Sequence, residues 1–316
     1  SLYFESFTAV DLRKRGFSKD GKSAQPQILI GLLVSSEGFP IAYEIYEGNK
    51  FEGHTLIPSI SNFQQKYDIK TLTVVADAAM ISTDNIKALK DNQLSYIVGA
   101  RIANLSKLVI DEINEKLKPE DGATIRIISK HGILVCSFSA KRYSKDKREM
   151  GKQIAKAEIL LKNPTKPKRT KFVKSKTKTS FELNKTLIEK TEKLLGIKGY
   201  YTNLNKVDNQ TIITRYHDLW HVEQAFRITK SDLETRPIYH FKEDPIKVHI
   251  MICFMALAVC KYLEIKTGKL IKNVIKLFKS VADAQILNTI TGEKITMRSV
   301  MPEEVKDILE KLKLPY

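Results

Sequence analysis

The run Thr71-Leu72-Thr73-Val74-Val75-Ala76 is continuous and apolar-rich, and it closes on Asp77. A strand without polar alternation reads as one covered on both faces, the central position of a layered sheet. Its neighbours extend the pattern. Leu2 to Phe7, Ile28 to Ser35 and Pro40 to Tyr46 are β-rich runs, the last two joined by the turn Ser36-Glu37-Gly38. They predict an antiparallel meander with a polar, basic loop (Asp11 to Gln25) between its first two strands. Gly48-Asn49 breaks the third strand. His54 to Tyr67 carries Leu56, Ile57, Ile60 and Phe63 on one helical face. Thr83 to Asn92 then predicts a short helix, and Ser95 to Ala100 another strand. Periodicity by itself supports a mixed α/β fold.

Residues 101 to 210 break that rhythm. Thr124 to Ile128 and Ile133 to Ser139 predict strands about the turn Lys130-His131-Gly132. From Lys141 to Lys178 the chain is heavily basic, and Lys168 and Arg169 sit in its proline-containing stretch, expected as a loop. Glu149 to Leu161 predicts a helix. This segment accounts for much of a formal net charge of +17 over 316 residues. Such a charge points to a polyanionic partner, nucleic acid or an anionic membrane surface. Many lysines and arginines bind phosphates through counterion release without precise geometry.

Tyr216 to His240 is the most specific stretch. Leu219, Val222, Phe226 and Leu233 fall near a 3.6-residue period, which predicts one amphipathic helix stopped by Pro237. On such a helix Tyr216, Glu223 and Lys230, seven apart, line one side. Tyr, Glu and Lys at that spacing, followed by Leu233-x-x-Arg236-Pro237, resemble the end of a DDE transposase of bacterial insertion sequences, in the group with the signature Tyr-x2-Arg-x3-Glu-x6-Lys. Leu219 stands where the signature has Arg. Gly48-Asn49-x-x-Glu52 and Asp77 add to the resemblance, which spans roughly residues 1 to 265.

The resemblance implies an RNase H-like catalytic core in two parts, residues 1–100 and 211–266. A basic, β-containing insertion (101–210) interrupts it, and a helical tail (267–316) follows. It implies a site of carboxylates holding two Mg²⁺ ions about 3.5–4 Å apart, with Mn²⁺ as a substitute. Asp77 takes the place of the second acidic residue and Glu223 of the third. Taken alone, Asp77 reads as a turn or cap residue at a strand end and Glu223 as a solvated helix carboxylate. Tyr216 and Lys230 are implied as phosphate contacts, with Arg227, Arg236, Lys168 and Arg169 adding charge. In relatives the first acidic residue precedes a segment like Ser1-Leu2-Tyr3-Phe4-Glu5-Ser6, so it falls upstream of Ser1. Neither Glu5 nor Asp11 takes its place, and residues 1–316 alone are expected to be inactive.

The activity implied is DNA strand cleavage and transfer at insertion-sequence ends, by a homodimer on double-stranded DNA. The alternative is a truncated, inactive copy that binds DNA or a full-length subunit and inhibits transposition. An RNase H-like nuclease without transposition is a third reading, against which the signature helix argues. Cys136, Cys253 and Cys260 show no metal-ligand spacing and read as buried free thiols, which fits a reducing cytosol. His217 and His221, four apart, have no third ligand in sequence. Trp220 is expected to pack. His249 to Cys260 is too short for a membrane span and apolar nearly all round, so a helix from Asp244 to about Glu264 is expected in the interior. No membrane partner is expected.

Overall fold

The computed structural model describes the chain apart from residues 1, 5–7, 17–20, 22, 51, 69–71, 79–81, 163–169, 176–180 and 316. It divides into two compact units: Ser1–Ser59 with Asp218–Tyr316, and Ile60–His217. In chain order the first elements are β1 (Leu2–Tyr3), β2 (Lys14–Arg15), β3 (Pro26–Val34), β4 (Pro40–Glu47), α1 (Glu52–Tyr67), β5 (Thr73–Ala76), α2 (Thr83–Asp91) and β6 (Ser95–Ala100). Next come α3 (Lys107–Lys116), β7 (Thr124–Ser129), β8 (Gly132–Phe138), α4 (Ala140–Lys162), β9 (Val173–Ser175), β10 (Phe181–Leu183), α5 (Lys185–Glu192) and β11 (Ile197–Thr202). The remainder is α6 (Asn209–His217), α7 (Leu219–Arg227), a π turn (Ile228–Asp232), α8 (Glu243–Thr267), α9 (Ile271–Lys279), β12 (Ala284–Leu287), β13 (Lys294–Met297) and α10 (Glu303–Lys311). The architecture is mixed α/β, a mixed sheet flanked by helices, consistent with an RNase H-like domain.

In the first unit β3 is central. It pairs antiparallel with β1 and β4, as the meander pattern predicts, and also with β2, two residues of the segment expected as a loop. Ile28, Ile30, Leu32 and Val34 alternate onto one face. There they pack against two apolar clusters, one with Ile238, Ile246 and Ile250, the other with Ala225, Ile228 and Leu257. Gly48, quoted above as a strand breaker, has a packing reason too. A Cβ there would lie 2.0 Å from the Gln27 carbonyl oxygen, and the buried Gln27 amide donates to the Gly48 carbonyl at 3.1 Å. The hairpin β12–β13 is exposed along its whole length.

In the second unit the strand order is β5-β6-β11-β8-β7, with β5 parallel to β6 and the others antiparallel. Strands from residues 101–210 thus continue the sheet that holds Asp77's strand. Val75, Ile97, Val135 and Tyr200 pack with Ile212 and Ile213 of α6 on one face. On the other, Val74, Ala76, Tyr96, Val98, Leu134 and Cys136 are buried as well. This two-sided burial is what the unalternating composition of β5 demands. The basic segment is more helical than expected. α4 begins at Ala140, not Glu149, and its Met150 and Ala157 form a small core with Phe172.

The expected single helix over 216–240 is corrected to a broken path. α6 ends at His217, and Asp218 is a turn closed by a hydrogen bond from His221 N to Asp218 O of 3.0 Å. The helix then widens at Ile228, where Leu233 N bonds to Ile228 O at 3.0 Å, five residues back. Thr229 contributes: its hydroxyl donates to the Ala225 carbonyl at 2.9 Å, a back-bond that competes with the regular ladder. A seven-residue spacing returns to one side only on a continuous α-helix. Tyr216 stands on α6, and Glu223 and Lys230, separated by the widened turn, do not share one helix face.

Candidate active site

Asp77 follows the last residue of β5, at the C-terminal end of the parallel pair with β6. Parallel strands leave their ligand-facing crevices at this end. The register pairs Val75 with Ile97, so continued alternation puts Asp77 level with Gly99, on the face that packs against α6. Its side chain is exposed.

Tyr216 lies on that same face. Its ring meets Tyr200 edge-on at 4.7 Å, and a Cβ on Gly99 would come within 2.4 Å of its hydroxyl oxygen. The same Cβ would lie 3.1 Å from the Ala78 amide nitrogen, the residue after Asp77. Glycine at 99 is what lets the phenol stand beside the strand end. Two basic residues that the sequence reading did not single out join this corner. Lys198 Nζ sits 4.6 Å from the centre of the Tyr216 ring. Arg101, directly after β6, donates from Nε to the Ala78 carbonyl at 2.9 Å. A signal for Lys198 existed: it precedes Tyr200 by two on β11 and so shares its face. Burial pushes the Tyr200 phenol up to about 12.

Glu223 belongs to the other unit. On α7 the buried residues are Gln224 and Ala225, with Ile228 just beyond, which leaves Glu223 and Arg227 on the exposed side. Behind Glu223 the helix is anchored: Lys261 donates to Gln224 Oε1 at 3.1 Å and pairs with Glu264 at 2.8 Å. Lys230 is half-buried, its Nζ 6.0 Å from the Phe226 ring, and it lines an apolar cavity with Leu32, Tyr43 and Phe254. Arg236 stacks over the Tyr3 ring at 5.7 Å, next to the bridge between Phe4 and Ile238.

Lys168, Arg169 and Glu5 lie outside the described residues. Trp220, expected to pack, is 53% exposed, with only His221 as a ring neighbour at 4.1 Å among the described contacts. His217 approaches the Tyr200 hydroxyl at 3.5 Å, whereas His221 lies against the turn at Gly38. Burial, then the Lys261 ammonium, lower the His221 pKa. Among the described residues no three His, Cys, Asp or Glu side chains group to hold a metal.

The interior position expected for the apolar helix is also corrected. α8 buries Ile246, Ile250 and Leu257 against its unit but exposes its opposite side. It is long and apolar enough to cross a membrane, yet its inner face carries the buried Lys261–Glu264 pair and the sheet contacts of a globular unit. It does not indicate a membrane protein.

No curated protein matches the sequence. The family described as Transposase DDE domain matches residues 7–259, most of the chain and both parts that carry Asp77 and Glu223. Enzymes of this family act on DNA by polynucleotidyl transfer and are generally dependent on a divalent metal. The chain belongs to the DDE transposase family.

Proposed function

We propose that this chain carries the catalytic domain that cleaves DNA strands at insertion-sequence ends and transfers the freed 3′ end to a target, with Mg²⁺ as cofactor. The observation that carries the reading is Asp77: an exposed carboxylate at the C-terminal end of a parallel strand, level with Gly99 on the face that holds Tyr216. Glu223, exposed on α7 within the signature segment, takes the place of the third acidic residue.

The donor chemistry fits the metal. Carboxylate oxygens are hard ligands, and Mg²⁺ keeps several waters, so few protein ligands serve it. Asp77 and Glu223 would hold it. Bound there, divalent ions would supply charge stabilisation for the attacking and leaving oxygens of an in-line displacement. The chain's own residues bind and orient the strand. Tyr216 and Lys198 present a hydroxyl and an ammonium beside the Asp77 corner, and Arg227 adds a cation four residues from Glu223. Lys230 and Arg236 contribute charge, with Lys168 and Arg169 assigned to the same role from sequence alone. In this reading residues 101–210 supply the basic surface, and their long helix α4 tracks phosphates. Their strands β7, β8 and β11 extend the sheet of β5 and β6 rather than interrupting it, and 267–316 is a tail of helices with one hairpin. The protein works in the bacterial or archaeal cytoplasm, as a homodimer on double-stranded DNA.

The test is Mg²⁺-dependent cleavage of duplex DNA bearing the element's ends, by the protein expressed from its natural reading frame. Asp77→Ala and Glu223→Ala are each expected to lower cleavage by roughly 10²–10³-fold, the scale of removing one electrostatic contributor to a transition state. Retention of the DNA in a gel shift should be unchanged. Cleavage that survives either substitution removes that residue from the site.

A further inference from the structure

The exposed side of α8 has a symmetry of its own. Val248, Met251, Ile252, Met255, Val259 and Tyr262 are each between 44% (Met251) and 59% (Val259) exposed, and no exposed residue from 248 to 262 is charged. Relative to Met255, Met251 and Val259 lie four residues away on either side, Val248 and Tyr262 seven, and Asp244 and Lys266 eleven. Steps of four, seven and eleven all return to within about 40° of the starting direction on an α-helix. One straight stripe therefore runs from Asp244 to Lys266, apolar along its length, acidic at its first turn and basic at its last.

A stripe of this kind is complementary to its own reverse. Turned end for end about Met255, it sets Met255 on Met255, Met251 on Val259, Val248 on Tyr262 and Asp244 on Lys266, each of the last three twice. An isologous two-fold contact requires this pairing of residue i with j and of j with i. We propose that α8 packs antiparallel against α8 of a second copy of this chain, about a two-fold axis at Met255. The helix is 25 residues long, about 37 Å at 1.5 Å per residue, so the seam is several turns deep. Apolar contact removes from water a patch of the kind that marks protein interfaces. The two end pairs fix direction, because a parallel arrangement sets Asp244 against Asp244 and Lys266 against Lys266. Antiparallel packing also opposes the two helix dipoles favourably.

This dimer forms on the first unit's surface without DNA or metal. It stands or falls apart from the assignment of Asp77 and Glu223. A lipid surface is the competing occupant, but it offers no paired partner for the Asp244 carboxylate on the stripe.

The experiment is the mass of the intact chain in solution, without DNA, by light scattering over a concentration series. Twice the chain mass is expected, falling to once the chain mass for Met255→Glu, which brings two carboxylates together on the axis. Because Met255 is exposed, the thermal midpoint of diluted Met255→Glu should stay within a few degrees of the parent's. Asp244→Lys alone and Lys266→Asp alone should each weaken the dimer, and the two together should restore it. A parent that is monomeric throughout overturns the proposal, as does a dimer indifferent to Met255→Glu or a double charge swap weaker than either single. Co-sedimentation of the parent with phosphatidylglycerol vesicles, abolished by Met255→Glu, overturns it in favour of a membrane surface.

Discussion

The Lys261 ammonium and the Glu264 carboxylate lie 2.8 Å apart with 4% and 9% of their side chains exposed, one turn apart on α8. Each has a second duty. Lys261 donates to Gln224 beside Glu223, and Glu264 Oε1 accepts the amide of Ile271, the first residue of α9. One ion pair therefore ties the helix that bears a candidate carboxylate to two others. Lys261→Ala leaves a buried carboxylate without its charge partner and should cost about 3–5 kcal/mol. Lys261→Met with Glu264→Gln removes both charges and should cost much less. Lys306→Ala breaks an exposed pair, with Glu303 86% exposed, and should change stability by at most about 1 kcal/mol. Urea midpoints of the three variants check the order.

Much of this was legible beforehand, and the reason is local. The alternation in β3 and β4, the unalternating β5 and the turn at Ser36-Glu37-Gly38 are each written within a few residues, and each element appears. The family was legible from spacing alone, Tyr216 to Glu223 to Lys230, though the continuous helix read from that spacing is not there. The break at Asp218 shows as one turn hydrogen bond and the π turn at Ile228 comes with one threonine back-bond, neither of which alters periodicity. α8 shows a second limit. An all-round apolar helix has the same composition whether it is covered by its own chain or left open on one side. That Tyr216, Gly99 and Lys198 meet was not legible for a third reason: the corner joins three elements through sheet register, and no short window contains it.

Gly99 should prove sensitive out of proportion to its size. A methyl group there meets the Tyr216 hydroxyl at 2.4 Å and the Ala78 amide at 3.1 Å. Gly99→Ala is expected to destabilise by about 1–3 kcal/mol through overpacking. Combining it with Tyr216→Ala removes the nearer collision, so the double variant should be more stable than the sum of the singles predicts. A coupling of about 0.5–3 kcal/mol in the double-mutant cycle is the expected result, and additivity would mean that the ring does not lie over Gly99.

The alkaline limb of stability follows from three groups that burial holds protonated. Cys136 is pushed from an ordinary value of 9.0 up to about 12 by burial. Tyr200 and Tyr46 rise from 10.0 to about 12, mainly through burial, with the Glu44 carboxylate adding to the shift of Tyr46. Below about pH 9 folded and unfolded chains both keep these protons, and the groups give no pH dependence. Above it the unfolded chain releases protons that the folded chain retains, so stability falls steadily until about pH 12. The urea midpoint should accordingly be lower at pH 11 than at pH 8. A thiol assay isolates the cysteine. With Cys253 and Cys260 replaced by alanine, Cys136 should be silent to Ellman's reagent at pH 8 in the native protein and react fully in denaturant. Rapid native labelling would mean that the core around β8 opens far more readily than its complete burial implies.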